Sequence, residues 1–238
     1  MVSIIFPTAF EMEPFVGLMK RPQVFSAVRR EGFRGTIAGL EVEVLVCGAG
    51  QANSAQTVAA LIESRLPELI VLGGVAGAFR QSGLSIGDTA MATGEVYADL
   101  GVQTRDGRLG LSEISLPLVE KAGERFFEDI PINCPAAALN WAADENVPAG
   151  LFATVSTVTG TTSEADRIWK QYGALCENME GAAAAQVALV YGAPFIEIRG
   201  ISNMVEDRNR DNWDLPLAAG RSAAAVAGML ARYALENI

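Results

Sequence analysis

Two short segments in the C-terminal third carry groups whose types and spacing suit work on a polar ligand. Glu177-Asn178-Met179-Glu180-Gly181 runs into the Ala-rich stretch that follows it. Pro194-Phe195-Ile196-Glu197-Ile198-Arg199-Gly200-Ile201-Ser202-Asn203 is an apolar strand pattern that ends in polar residues. A carboxylate placed like Glu180, where a helix follows a strand, can accept two hydroxyls at once and so select a vicinal diol. Met179 beside it offers a soft thioether face. Arg199 is costly to bury unpaired, so it needs an acid such as Glu13 or Glu180, and it could also fix a carboxylate that holds a water. Asn203 offers a donor and an acceptor but no proton. Each residue also has a plain structural reading. Glu180 is a first-turn carboxylate suited to the helix dipole, Arg199 is half of an ion pair, and Asn203 is a turn residue.

The elements around these residues decide whether they meet. Val2–Phe6 reads as a buried strand, broken by Pro7-Thr8, with a helix over Glu11–Lys20. Phe33–Ala38 and Glu41–Val46 read as a hairpin, and Gln51–Leu66 as a helix stopped by Pro67. Leu69–Leu72 is a strand ending in Gly73-Gly74, and Ile86–Thr93 begins another. Pro117–Phe127 and Pro135–Asp144 read as helices, Leu151–Val158 as a strand, and Glu164–Tyr172 as a helix capped by Ser163. Gly181–Tyr191 and Leu215–Ala234 are Ala-rich helices suited to close packing on a sheet. Alternating strands and helices predict an α/β fold with a largely parallel sheet. Ligands in such sheets bind beyond the carboxyl ends of strands, where Arg199 and Asn203 fall. The segments 97–111 and 205–213, rich in Gly and charge, read as mobile loops.

Bulk properties exclude several classes. The 238 residues, half of them hydrophobic, suffice for one domain spanning 1–238. A net charge of −10 disfavours nucleic acid as a partner. The chain has no histidine, which removes His-based triads and the commonest zinc ligand. Cys47, Cys134 and Cys176 have no metal-ligand spacing and suit small buried thiols in a reducing compartment. Neither a basic leader nor a run long enough to span a bilayer is present, so a soluble, cytoplasmic protein without a membrane partner is expected. Gly48-Ala49-Gly50-Gln51-Ala52-Asn53 follows a strand, but Asn53 stands where a dinucleotide fingerprint needs its third glycine.

Met179-Glu180-Gly181-Ala182 with Arg199-Gly200-Ile201-Ser202 resembles the nucleoside phosphorylase/nucleosidase superfamily. Asn203, Asp207-Arg208 and Trp213 bring the resemblance nearest to its futalosine hydrolases, with the methylthioadenosine/S-adenosylhomocysteine nucleosidases next. The resemblance implies a single α/β domain with a mixed, partly barrel-like sheet flanked by helices. It implies hydrolysis of a purine nucleoside, here futalosine on the menaquinone route, with no metal and no organic cofactor. It also implies a homo-oligomer, dimeric or larger. On this reading Glu13 falls on the water-activating glutamate and Arg199 orients it. Met179 and Glu180 hold the ribose. Val75, Ala76 and Gly77 lie against the sugar and base, as does Val158 on the 157–161 segment. Adenine-cleaving relatives carry an aspartic acid where this chain has Asn203, and many have Ser at Val75. Asn203 suits a 6-oxopurine, and Asp207 is the second candidate for activating the leaving base. The alternatives are an adenine nucleosidase and a nucleoside-binding protein without turnover.

Overall fold

Five consecutive buried residues, Val2–Phe6 (β1), begin the sheet on which the site is built. In the computed structural model, which describes residues 1–105 and 107–236, they are followed by Ala9–Leu18 (α1), Lys20–Ala27 (β2), Arg30–Ile37 (β3) and Leu40–Val46 (β4). Then come Gln51–Arg65 (α2), Leu69–Ala78 (β5), Thr89–Tyr97 (β6), Asp129–Pro131 (β7) and Ala136–Asp144 (α3). Ala149–Thr154 (β8), Thr162–Tyr172 (α4), Cys176–Asn178 (β9), Gly181–Tyr191 (α5), Phe195–Met204 (β10) and Leu215–Glu236 (α6) complete the fold.

The sheet is mixed and closes on itself. β5 pairs in parallel with β1 over Leu69–Leu72 and with β10 along Ile70–Ala78. Past Leu72 the edge that β1 leaves is taken by β9, antiparallel, with Glu177 opposite Gly77. β10 pairs antiparallel with β6, β6 pairs in parallel with β8, and β8 pairs in parallel with β9. The ring β5–β10–β6–β8–β9 is thus a closed five-stranded barrel, from which β1, β4, β3 and β2 extend as a wing. A barrel this small is filled by side chains, so polar residues pointing inward meet one another.

Most elements match their sequence patterns, and three departures have physical causes. β2 went unread because seven of its eight residues face solvent at least in part, leaving no alternation to detect. Pro117–Phe127 is a two-stranded ribbon, Val119–Lys121 with Glu124–Phe126, and not a helix. Its turn residues Ala122 and Gly123 both take positive φ, the geometry of a tight hairpin. Thr161 rather than Ser163 caps α4, accepting the Glu164 N–H at 3.3 Å. The 97–111 segment also holds a short ribbon, Val102–Gln103 with Arg108–Leu109.

The Ala-rich helix α5 packs where larger residues would not fit. Ala182, Ala183, Ala184, Ala185 and Ala188 are all buried, in a cluster with Val58, Leu61 and Ile62 of α2. Ala188→Leu inserts three heavy atoms into this contact. Overpacking of that kind costs about 1–3 kcal/mol, so thermal denaturation should show a melting temperature lower by roughly 2–10 °C. An unchanged midpoint would mean that α5 has room to move.

Candidate active site

Arg199 is the largest wholly buried side chain among the described residues, and each of its three nitrogens has a partner. Its Nε donates to Glu197 Oε1 at 2.8 Å, one Nη pairs with Glu180 Oε2 at 3.2 Å, and the other reaches the Val75 carbonyl at 3.4 Å. Glu197 and Arg199 are two apart on β10, so the pleat turns both inward. Burial alone would lower the arginine's pKa, but Glu197 and Glu180 raise it above its ordinary value. It is a fixed cation.

Four buried carboxylates surround it. Glu180 Oε1 also accepts the Gly50 N–H at 2.8 Å, which ties the end of β9 to the start of α2. Glu11 Oε1 accepts the Val75 N–H at 2.9 Å, and its Oε2 accepts the Thr8 hydroxyl at 2.6 Å. Gly74 makes room for this meeting, since a Cβ there would sit 2.6 Å from Arg199 Nη1 and 2.9 Å from Glu11 Oε1. Burial raises the Glu11 pKa, and the Thr8 and Val75 hydrogen bonds hold it back in part. Glu95 lies deeper. It accepts Asn178 Nδ2 at 2.6 Å and the Thr154 hydroxyl at 2.8 Å. Glu95 Oε1 and Glu197 Oε2 crowd the same face of Gly181, where a Cβ would strike both. Burial and then the charge of Glu197 push Glu95 well above the usual carboxylate range. Glu197 Oε2 has no hydrogen-bond partner among the described residues and lies on the same face as Glu95 Oε1.

Asn178 joins the layers. Its Oδ1 accepts the N–H groups of Glu180 at 2.8 Å and Gly181 at 2.7 Å, so it satisfies the first donors of α5. Above this floor a cleft opens, lined by Thr8, Glu11, Val75, Met179 and Glu180 next to the Arg199 cluster and, at its base end, by the strand-paired Gly77, Glu177 and Asn203 with Val158, Ser202 and Trp213. A bulge in β10 at Ser202 lets Asn203 pair with Gly77. Bulges re-aim side chains, and here both Ser202 and Asn203 line the cleft. The Ser202 hydroxyl donates to Asn203 Oδ1 at 2.7 Å, while Asn203 Nδ2 donates to the Met204 carbonyl at 3.0 Å.

Of the residues singled out from the sequence, Val75, Ala76, Gly77, Val158, Met179, Glu180 and Asn203 line this cleft, and Arg199 lies directly beneath it. Glu13 and Asp207 do not. Glu13 is exposed, and Glu11 occupies the place expected of it. The cause is the capping box Thr8-Ala9-Phe10-Glu11, in which the third helical residue turns back toward the cap. Two residues further on, a side chain has rotated by about 200° and points outward. Asp207 is also exposed and ties down the start of α4, accepting the Thr162 N–H at 3.0 Å. Sequence reasoning missed Glu95, Asn178, Glu177 and the pairing of Glu197 with Arg199. The two-residue spacing of Glu197 and Arg199 was a usable signal, whereas Glu95 had none. Cys47 and Cys176 are buried thiols as expected, and Cys134 is half-buried; burial pushes Cys47 up to about 12, which keeps it unreactive. Among the described residues no group of acids and cysteines could hold a metal, and no helix is long and apolar enough to cross a membrane.

Comparison with known proteins follows the same lines. A family model described as the phosphorylase superfamily matches residues 2–236. The futalosine hydrolase of Thermus thermophilus is 32% identical, with 96% of this chain and 94% of that protein covered. A 5′-methylthioadenosine/S-adenosylhomocysteine nucleosidase of Glaesserella parasuis is 26% identical over 98% of this chain and 99% of its own. The fold matches the nucleosidase of that type from S. pneumoniae, solved with a transition-state inhibitor, with a TM-score of 0.82 at 23% identity, covering 98% and 99% of the two chains.

The raised pKa of Glu95 has a consequence for stability. Its folded-state pKa is raised by burial and by Glu197. The folded chain therefore binds more protons than the unfolded one between about pH 4.3 and the raised value. The stability this contributes is complete below the unfolded value and is lost as pH rises through the folded one. Glu95→Gln keeps the shape and a donor without the ionisation. The stability of Glu95→Gln relative to wild type should therefore increase with pH across that window, measured as a difference in urea midpoints. A pH-independent difference would mean that Glu95 is not held protonated by the fold.

Proposed function

The chain belongs to the phosphorylase superfamily and is a hydrolytic N-glycosidase; from that premise we propose that its substrate is futalosine. The reaction cleaves the N-ribosidic bond to give hypoxanthine and dehypoxanthine futalosine, a step toward menaquinone. One observation carries the reading: Glu11, Glu177 and Glu180 line the cleft, and no lysine or arginine does. Phosphorolysis needs a site for a phosphate anion. Arg199 lies beneath the cleft with its nitrogens bonded to Glu197, Glu180, Asn178 and the Val75 carbonyl, and Arg208 and Arg210 stack on Trp213 at its rim without lining it. Carboxylates repel phosphate, activate water and stabilise the positive charge that grows on the sugar as the base departs.

In this reaction Glu11, in place of Glu13, is the general base for water. The Thr8 hydroxyl and the Val75 N–H aim it, and Arg199 sits behind it. Glu180 accepts the ribose hydroxyls and Met179 packs against the sugar. Asn203 donates to the N7 and O6 edge, so the leaving hypoxanthine carries its charge on oxygen without receiving a full proton from this residue. The methylthioadenosine-type reading is weaker because the base edge has an amide at 203 where that chemistry wants an acid. Asp207 does not replace it, being bound at the start of α4. The cytoplasm and a homo-oligomer remain the expected setting.

Glu11→Gln should lower kcat about 100-fold or more, the usual order for removing general acid–base help. Glu13→Gln should stay within about twofold, because an exposed residue off the cleft takes no part in such help. The raised Glu11 also sets a pH profile. Only its ionised form is a base, so the acid limb of kcat/KM should fall above the ordinary glutamate value of about 4.3, as burial dictates. Equal losses in the two variants would return the role to either carboxylate. Turnover of futalosine in phosphate-free buffer should proceed at full rate and release hypoxanthine. A strict need for phosphate, with a sugar phosphate as product, would overturn hydrolysis.

A further inference from the structure

The base end of the cleft holds a carboxylate for which the reaction as described has no use. Glu177 is buried, lines the cleft, and has no cationic partner among the described residues. Its contacts are to one residue: Oε1 accepts the Thr159 N–H at 2.9 Å and Oε2 accepts the Thr159 hydroxyl. Burial raises its pKa, and these two bonds pull it back. Each oxygen retains a second lone pair. A buried charge held by neutral donors alone is expensive, which points to a task.

Its position indicates the task. Glu177 and Asn203 pair with opposite edges of the same residue, Gly77. Their backbones are therefore two strand spacings apart, about 10 Å. Gly77 itself has no side chain, and the Asn203 amide lies over it, with Nδ2 2.9 Å from where a Cβ would sit and Val205 Cγ2 at 3.0 Å. Glu177 and Asn203 both line the one cleft, so a base seated there meets both. Asn203 has its Oδ1 occupied by the Ser202 hydroxyl and one Nδ2 proton occupied by the Met204 carbonyl. What it has left is one Nδ2 proton, suited to N7 and O6, and a second lone pair on Oδ1. A 6-oxopurine then still presents its N1–H and needs an acceptor. A 6-aminopurine presents a bare N1 lone pair at the same point.

We propose that Glu177 is the residue that sets base specificity, its carboxylate accepting N1–H of a 6-oxopurine and repelling N1 of a 6-aminopurine, with Thr159 holding it in place. The inference rests on the hypoxanthine reading above. Two other roles predict different behaviour. A general acid delivering a proton to any departing base would matter equally for both base types. A tether for the 157–161 segment would do likewise.

The test compares wild type, Glu177→Gln and Glu177→Ala on futalosine or inosine, on the N1-methylated form of the same hypoxanthine nucleoside, and on methylthioadenosine. Glu177→Gln can keep Thr159 through its amide oxygen and turn its NH₂ toward N1. Its kcat/KM on the hypoxanthine nucleoside should fall about tenfold or more, mainly through KM, while methylthioadenosine is unaffected or improved. Wild type should reject the N1-methyl substrate, and Glu177→Ala should discriminate against it less. Ratios within one variant cancel any loss of folded protein. Equal losses on both bases, no change in the ratio, or wild-type acceptance of the N1-methyl substrate would overturn the assignment. Preference of the wild type for methylthioadenosine would instead sink the hypoxanthine reading, before any variant is made.

Discussion

One wholly buried guanidinium must be neutralised, and the geometry of the site follows from that need. Arg199 has 0% exposure and pairs directly with Glu197 and Glu180. Breaking one side of a buried ion pair typically costs about 3–5 kcal/mol, because a charge is left uncompensated. Glu180 is therefore not free to swing, and neither is the start of α5 or the Gly50 turn to which it is bonded. Glu11 completes the group from the other side through Val75. Four elements that are distant in the sequence are thereby held by one charge. With Glu11, Glu180, Glu197 and Glu95 around one arginine, full ionisation would leave a surplus of three negative charges in a dry interior. Burial and Glu197 raise the pKa of Glu95, which favours taking up a proton there, away from the cleft. The surface facing a substrate keeps its negative character.

The barrel is what allows these groups to converge. β5 changes neighbours midway, from β1 to β9, while keeping β10 on its other edge. Its glycines fall in the half that borders the site. They let Arg199 and Glu11 approach at Gly74 and let the Asn203 amide lie over the strand at Gly77. The bulge at Ser202 then adds a residue to β10 where the strand passes Gly77. A flat open sheet with the same residues would direct Glu95, Glu197 and Asn178 to separate places. Closure turns all three toward one axis.

How much of this could be read beforehand depends on the range of the interaction. Strands β1 and β5 and the Ala-rich helices were legible because their hydrophobic patterns are local. Met179, Glu180, Arg199 and Asn203 were legible as a pattern of polar residues at element ends. The exchange of Glu13 for Glu11 was a local error of a different kind. Thr8 stands three residues before Glu11, and weighing that capping box would have turned Glu11 inward and Glu13 outward. Glu95 and Glu177 were hidden for another reason. Glu95 comes to the site only through the β6–β8 and β6–β10 pairings, and Glu177 gains meaning only from its register with Gly77. No periodicity in one segment encodes a pairing between two.

On the proposed reading, one arrangement of charge explains both the reaction chosen and the one refused. As the glycosidic bond stretches, positive charge develops on the ribosyl carbon and ring oxygen. Preorganised groups aimed at developing charge give the largest single contribution to many rate enhancements, because they need not reorient during the reaction. Glu11 and Glu180 are preorganised in this sense, each held by two bonds to backbone, hydroxyl or guanidinium groups. The same carboxylates raise the energy of any anion brought to that face, so a phosphate nucleophile is disfavoured where a water is not. Arg199 does not reverse this balance, since it is wholly buried beneath the cleft and its charge is met by Glu197 and Glu180. An arginine near the reacting centre is often taken as an anion site. Here its burial and its partners make it the opposite, the counter-charge to the acids that face a forming cation.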